Sequence, residues 1–207
     1  MKIVSVIKES FLEYEDYISL VLFSAGCNMR CSYCHNYDFI MSPENILSGT
    51  VEEIIDNNMT SLTDGLVFLG GEPTLYGTEL FDISSYVKIK YNSSVKIFSN
   101  GTYPNLLIDG LNQGYFDYIS LDFKSLNQTD HISYLNNWND YVKGILKVIK
   151  YFDQHGLNHK LEIRTTSIPE LKFEINKIKE YCNFFNIKHI VQEDVRQSYK
   201  ELGVLNG

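Results

Sequence analysis

Apolar segments of strand length alternate with amphipathic segments of helix length along most of this 207-residue sequence, and this alternation restricts the possible folds more than any other feature. The strand-like segments are residues 2–8, 18–25, 65–71, 95–100, 118–123, 161–166 and 188–192. Strands that alternate with helices form parallel sheets joined by right-handed crossovers. The last six segments give six strand–helix units, too few for an eight-stranded barrel. We therefore predict an α/β fold: an open, partial (βα)6 TIM barrel with a parallel sheet and outer helices.

Helix boundaries are also marked in the sequence. Thr50 and Glu53 have the spacing of a capping box, which predicts that a helix begins ahead of residues 51–57. The clearest helical periodicity runs from residue 139 to residue 154, and Gly156 is a suitable C-terminal stop. A further helix is predicted over residues 170–186.

Polar or glycine-rich residues follow each of the six core strands. Parallel α/β folds collect their chemistry at the carboxyl ends of the strands, so these residues should meet on one rim. That convergence favours an enzyme. The polar strand ends are the cysteine-rich loop after residue 25, Gly70–Pro73, Ser99–Gly101, Asp122–Lys124, Arg164–Thr166 and Gln192–Asp194.

The composition fits one globular domain spanning residues 1–207, with 44% hydrophobic and 21% charged residues. The formal net charge of −8 disfavours binding to the phosphate backbone of nucleic acid. No apolar stretch approaches the ~20 residues that span a bilayer, and the first ten residues lack a signal-peptide core. We therefore predict a cytoplasmic protein without nucleic-acid or membrane partners.

Three of the four cysteines lie within eight residues, in the pattern Cys27-x3-Cys31-x2-Cys34. In a reducing compartment, such crowding indicates metal ligation rather than disulfides. Thiolates are the ligands that iron–sulfur clusters prefer. Three of them would leave one iron of a [4Fe–4S] cluster open. We therefore predict that these cysteines are the metal ligands.

The alternative is a zinc site made by the three cysteines and His35. Zinc sites usually combine one Cys-x2-Cys pair with a second pair further along the chain. The remaining cysteine, Cys182, lies among aromatic residues in a predicted helix and reads as a buried core thiol. The spacing thus favours the cluster. His35 either packs near the metal or has no functional role.

The cysteine spacing, with Tyr33 before the last cysteine, resembles the radical S-adenosylmethionine superfamily. Gly70-Gly71-Glu72-Pro73 matches the Gly-Gly-Glu-Pro motif of that superfamily and follows the cysteines by about forty residues. The resemblance covers nearly the whole chain. It implies that a [4Fe–4S] cluster cleaves S-adenosylmethionine reductively, and that the motif's backbone meets the methionyl amino group. It also implies cofactor-binding roles for Tyr33, Gly70, Gly71 and Glu72.

Tyr33-Cys34-His35-Asn36 and Asp122-x-Lys124 resemble the glycyl radical enzyme activases, above all the activating proteins of anaerobic ribonucleoside-triphosphate reductases. That likeness implies that Asp122 and Lys124 contact the ribose and carboxylate of S-adenosylmethionine, and that Arg164 contacts the cofactor too. Lys124 and Arg164 are suitable cations for a carboxylate, and Asn100 offers both donors and acceptors.

The implied function is generation of a glycyl radical on a partner enzyme, an anaerobic ribonucleotide reductase, with electrons from a flavodoxin-like or ferredoxin-like donor. Phe98 stands where pyruvate formate-lyase activases carry an aspartate that helps bind a monovalent cation, which argues against that site here. Two alternatives stay open. One is a radical enzyme acting on a small molecule, such as a 7-carboxy-7-deazaguanine synthase; the other is a non-enzymatic zinc or redox module.

Overall fold

The computed structural model describes residues 1–37, 41–42, 44, 46–134 and 137–194. Its strands, in chain order, are β1 (Ile3–Ser10), β2 (Ser19–Ser24), β3 (Met29–Cys31), β4 (Gly65–Gly70), β5 (Ser94–Ser99), β6 (Tyr118–Asp122), β7 (Ile132–Tyr134), β8 (Leu161–Ser167) and β9 (Lys188–Glu193). Its helices are α1 (Val51–Asp56), α2 (Glu79–Tyr91), α3 (Pro104–Asn112), α4 (Trp138–Gln154) and α5 (Lys172–Phe184).

Seven strands form one sheet in the order β1-β2-β4-β5-β6-β8-β9. Strands β2, β4, β5, β6, β8 and β9 are parallel, and β1 pairs with β2 in the antiparallel sense. The six parallel strands are the six core strands that the sequence predicts. Their carboxyl ends therefore lie along one edge of the sheet.

The two faces of the sheet are buried by different partners. One face packs with the helices in the main core and includes Leu20, Phe68, Ile97, Leu121 and Ile163. The alternate residues of the same strands, including Val21, Val67 and Phe98, form a second apolar cluster with Tyr14 on the opposite face. Burial on both faces explains why these strands are almost continuously apolar in sequence.

The predicted helix start at residue 50 is confirmed in detail. The Thr50 hydroxyl accepts from the Glu53 backbone N–H at 3.2 Å, and the Glu53 carboxylate accepts from the Thr50 N–H at 2.9 Å. Helix α4 ends at Gln154, and Gly156 follows it with a φ of +67°. Among the described residues, no helix has the length and apolarity needed to cross a membrane.

A second sheet of two short strands holds the cysteine-rich loop. Strand β3 pairs antiparallel with β7, with Met29 opposite Tyr134 and Cys31 opposite Ile132. The Ser32 N–H extends this contact by donating to the His131 carbonyl at 2.8 Å. Neither β3 nor β7 is among the strand-like segments of the sequence, so both strands are additions to the predicted fold. Three-residue strands are too short to show a periodicity of their own.

Candidate active site

A cavity of about 440 Å³ lies at the carboxyl ends of the parallel strands. All six strand ends contribute to its walls, as the sequence predicts for the rim. The apolar part of the lining comes from Phe23, Leu69 and Phe98 on β2, β4 and β5. The polar and cysteine part includes Cys27, Cys31, Tyr33, Cys34, His35, Gly70, Gly71, Glu72, Asn100, Asp122, Lys124, Arg164, Thr166, Gln192 and Glu193.

The three clustered cysteines all face this cavity and are partly buried. Burial raises the pKa of the Cys27 thiol to about 11, and burial also raises the pKa of Cys31. Binding of a metal offsets this effect, because it removes the thiol protons and converts the thiols to thiolate ligands.

The three cysteines reach the cavity from one short segment. Cys27 begins the loop, Cys31 ends β3, and Cys34 follows in a turn in which its N–H donates to the Cys31 carbonyl at 3.0 Å. A [4Fe–4S] cluster is ligated at separate irons, so three cysteines around one cavity provide a suitable set of donors.

The paired glycines allow the loop after β4 to press against the cysteine-rich loop. The Gly71 N–H donates to the Ser24 carbonyl at 3.0 Å, and the Glu72 N–H donates to the Gly26 carbonyl at 2.9 Å. A Cβ atom on Gly71 would lie 1.7 Å from the Gly26 carbonyl oxygen. Gly70 adopts a φ of +109°, which other residues rarely adopt. The Gly-Gly pair is thus required by close backbone packing.

We expect Gly71→Ala to destabilise the fold by about 3 kcal/mol, because the added methyl group overlaps backbone rather than a movable side chain. Gly77→Ala is the matched control: its φ is +58°, but a Cβ there meets nothing within 4 Å. The control should cost only the backbone strain of about 1–3 kcal/mol. Urea unfolding measures both variants. Gly71 is not among the glycines with a positive φ, so a Gly71→Ala variant as stable as wild type would contradict the account from close packing.

The Glu72 carboxylate joins two strand ends. It is 1% exposed and accepts from the Ser99 hydroxyl at 2.8 Å and from the Asn100 N–H at 2.6 Å. It also accepts from the backbone and hydroxyl of Thr74. Burial raises the pKa of Glu72 despite these donors. The carboxylate therefore fixes the motif's backbone in place.

Asn100 lies in the cavity wall with its side chain already hydrogen-bonded. Its amide nitrogen donates to Asn28 at 2.8 Å, and its amide oxygen accepts from the Thr102 hydroxyl at 2.7 Å. This contact ties the end of β5 to the cysteine-rich loop. The sequence analysis missed Asn28, Thr74 and Thr102, although each is a polar residue close to a predicted strand end.

Lys124 and Asp122 form an ion pair at the end of β6, with 3.0 Å between the ammonium and the carboxylate. Burial alone would lower the pKa of Lys124, but Asp122 and the nearby Cys31 outweigh it and hold that pKa well above its usual range. The Tyr141 hydroxyl on α4 accepts from the Lys124 N–H and donates to the Asp122 carbonyl, both at 3.0 Å. The cavity therefore keeps a fixed positive charge beside the cysteines.

The buried carboxylate of Glu162 positions Arg164 at the cavity. Its guanidinium lies 3.5 Å from Glu162 Oε1 and 5.0 Å from the centre of the Phe98 ring. The same Glu162 oxygen accepts from Lys96 at 3.0 Å and from the Ser120 hydroxyl at 2.7 Å. Two cations share one carboxylate, so the region carries an excess positive charge that favours an anionic ligand.

Sequence reasoning missed Lys96 and Glu162. The signal was available, because both are charged residues at inward positions of otherwise apolar strands.

His35 lies at the cavity edge, where its Nε2 is 3.4 Å from the Asp194 carboxylate at the end of β9. Cys182 is 1% exposed and packs in the main core, as expected.

Comparison with known proteins gives a consistent set of relatives. A family model described as the radical SAM superfamily matches residues 21–182. A Methanocaldococcus jannaschii protein with the provisional name glycyl-radical enzyme activating enzyme is 30% identical over 205 residues, covering 95% of this chain and 83% of that protein. A pyruvate formate-lyase-activating enzyme of Staphylococcus epidermidis is 25% identical over 195 residues, covering 89% of this chain and 75% of that enzyme.

A 7-carboxy-7-deazaguanine synthase of Methanocaldococcus jannaschii is 29% identical over 188 residues, covering 81% of this chain and 72% of that enzyme. Among solved structures, native anSMEcpe with bound AdoMet and Cp18Cys peptide has a TM-score of 0.60 and 19% identity, covering 82% of this chain. This chain spans about half the length of that structure (48%). The likeness concerns the fold and confirms the prediction of a partial barrel.

Proposed function

This chain belongs to the radical S-adenosylmethionine superfamily, and on that premise we propose that it is an activase that generates a glycyl radical on a partner enzyme, an anaerobic ribonucleotide reductase. As an enzyme of this superfamily, it uses a [4Fe–4S] cluster and S-adenosylmethionine. When bound, these cofactors supply one-electron cleavage of the sulfonium and a carbon radical that abstracts a hydrogen atom. The proposal depends most on the likeness along 95% of the chain to the Methanocaldococcus jannaschii relative.

We assign the cluster to Cys27, Cys31 and Cys34, whose sulfur atoms face one cavity. The carboxylate of S-adenosylmethionine is assigned to the positive wall formed by Lys124 and Arg164. Both cations are anchored before any ligand arrives, Lys124 by Asp122 and Arg164 by Glu162. Anchored side chains lose less conformational freedom on binding, which favours a well-defined cofactor orientation.

The apolar part of the cavity lining has a different task. Phe23, Leu69 and Phe98 present apolar surface to the cavity. Such surface keeps water away from the place where the carbon radical would form. A glycine Cα–H on an inserted loop of the partner would approach across this apolar wall. The electron is assigned to a flavodoxin-like or ferredoxin-like donor.

The test is electron paramagnetic resonance on an anaerobic mixture of the reconstituted protein, S-adenosylmethionine, a reductant and the ribonucleotide reductase of the same organism. A persistent glycyl doublet is expected, and it should disappear with Cys31→Ala and with a reductase whose radical glycine is replaced by alanine. Reductive cleavage of S-adenosylmethionine without any protein radical would contradict the activase proposal.

The second candidate is a small-molecule radical enzyme of the 7-carboxy-7-deazaguanine synthase kind. The observation in its favour is the 29% identity to such a synthase over 81% of the chain. His35 and Asn36 after the last cysteine weigh against it, because those synthases often carry Asp and Thr there. Magnesium-dependent turnover of a pterin substrate, with no protein radical, would establish it.

A further inference from the structure

Tyr33 carries a buried hydroxyl group that no described residue satisfies. The residue lies between the second and third cysteines, and only 5% of it is exposed. Its hydroxyl oxygen is fully buried and makes no hydrogen bond of acceptable geometry with the described residues. A buried polar group left in this way destabilises the fold. Such a group in a native fold calls for an explanation, and a role toward a ligand is one.

Of the charged and thiol groups that act on this hydroxyl, one is free to accept a hydrogen bond from it. The groups that act on it are the Lys124 ammonium, the Cys31 sulfur and the Asp122 carboxylate. Lys124 has only donors to offer. Asp122 already directs an oxygen to Lys124 at 3.0 Å. The remaining acceptor is the Cys31 sulfur, which lies in the same cavity wall.

The sulfur of a neutral thiol is a weak acceptor. Ligation to iron removes the thiol proton and makes the sulfur an anionic acceptor, which forms stronger hydrogen bonds. The buried Tyr33 hydroxyl, which has no partner among the described residues, is therefore a donor suited to a ligated Cys31.

We propose that the Tyr33 hydroxyl donates a hydrogen bond to the Cys31 thiolate of the bound cluster and thereby raises the reduction potential of that cluster. Hydrogen bonds to ligating sulfur atoms withdraw charge and favour the reduced state. Tyr33 is thus a positioning residue that acts through Cys31. The inference depends on the proposed cluster ligation, but not on the identity of the partner enzyme.

The test is a potentiometric titration of the reconstituted cluster, followed by electron paramagnetic resonance, in the absence of S-adenosylmethionine and of any partner. Tyr33→Phe should bind a full complement of iron and titrate at a more negative potential than the wild-type protein. In the wild type, exchange into D2O should shift an Fe–S(Cys) stretch in the resonance Raman spectrum. Tyr33→Phe should lack this shift. The metal-free variant should be at least as stable as wild type, since it loses only an unsatisfied hydroxyl.

Tyr141→Phe is the matched control, because it removes a buried hydroxyl of the same region that is hydrogen-bonded to the backbone of Lys124 and Asp122. It should lower stability and leave the potential close to that of wild type. Equal potentials for Tyr33→Phe and wild type would overturn the proposal. So would equal shifts in the two variants, or loss of the cluster from Tyr33→Phe. None of these outcomes depends on glycyl radical formation, so the activase proposal fails or stands separately.

Discussion

Glu162→Ala is expected to lower the free energy of unfolding by about 3–5 kcal/mol, the cost of leaving a buried charge without its partner. Lys96 and Glu162 are 3% and 2% exposed, and their charged atoms are 3.0 Å apart. Burial would raise the pKa of Glu162, but Lys96 and the Ser120 hydroxyl outweigh it and hold that pKa below its usual range. Without the carboxylate, the Lys96 ammonium would have to lose its charge or draw water into the sheet.

The double variant Lys96→Met with Glu162→Leu distinguishes two causes of the lower stability. One is a buried Lys96 charge without its partner, and the other is a loss of packing around residue 162. Replacing both members of a buried ion pair by apolar residues of similar volume is often neutral or stabilising. The double variant should therefore recover part of the stability that Glu162→Ala loses, while Arg164 still lacks the Glu162 carboxylate in both variants. Urea unfolding at neutral pH measures the wild type and both variants. A double variant as unstable as Glu162→Ala would contradict this account and assign the loss to packing around Glu162.

The main sheet could be predicted from the sequence because its central strands are buried on both faces. Double burial forces a nearly continuous apolar segment, and the polar residues that follow mark where burial ends. The predicted segment 118–123 corresponds to β6, Tyr118–Asp122, and the predicted segment 161–166 corresponds to β8, Leu161–Ser167. The start of α1 was predictable for a similar reason, since Thr50 and Glu53 satisfy each other locally.

Contacts between distant segments could not be predicted in this way. Strand β3 forms because Met29–Cys31 meets Ile132–Tyr134, which lies about a hundred residues further along the chain. Neither segment carries a pattern that specifies the other. The same holds for Lys96 on β5 and Glu162 on β8. They can meet because the strand order places β5 and β8 on either side of a single strand, β6. Sequence shows two inward charges, and only the strand order pairs them.

The candidate site was predictable as a set of residues but not as a set of contacts. Its members follow strand ends, and parallel topology brings strand ends together. The directions of the side chains are a different matter. The Glu72 carboxylate, for example, accepts from the Ser99 hydroxyl and the Asn100 N–H, and the motif does not specify either contact. Likewise, only the structure shows that the Tyr33 hydroxyl is buried without a partner among the residues it describes.

Alanine at Cys27, Cys31 or Cys34 is expected to abolish assembly of the [4Fe–4S] cluster, so each variant should lose nearly all of its iron. The three sulfur atoms line one cavity, and burial makes at least Cys27 and Cys31 poor thiolates unless a metal binds them. Two remaining thiolates leave two irons without a protein ligand. The measurement is iron and sulfide per chain after anaerobic reconstitution, together with the cluster absorbance.

Cys182→Ala is the matched control for this loss, because it removes the same chemical group from the helical core. Cys182 is 1% exposed on α5, and burial raises the pKa of its thiol to about 12, so it is an unreactive core residue. The variant should keep the full iron content and lose only about 1 kcal/mol of stability from the missing sulfur atom. Retention of iron by any of the three loop variants would show that the cluster has another ligand. Preferential binding of zinc by the wild-type protein would favour the zinc alternative over the cluster.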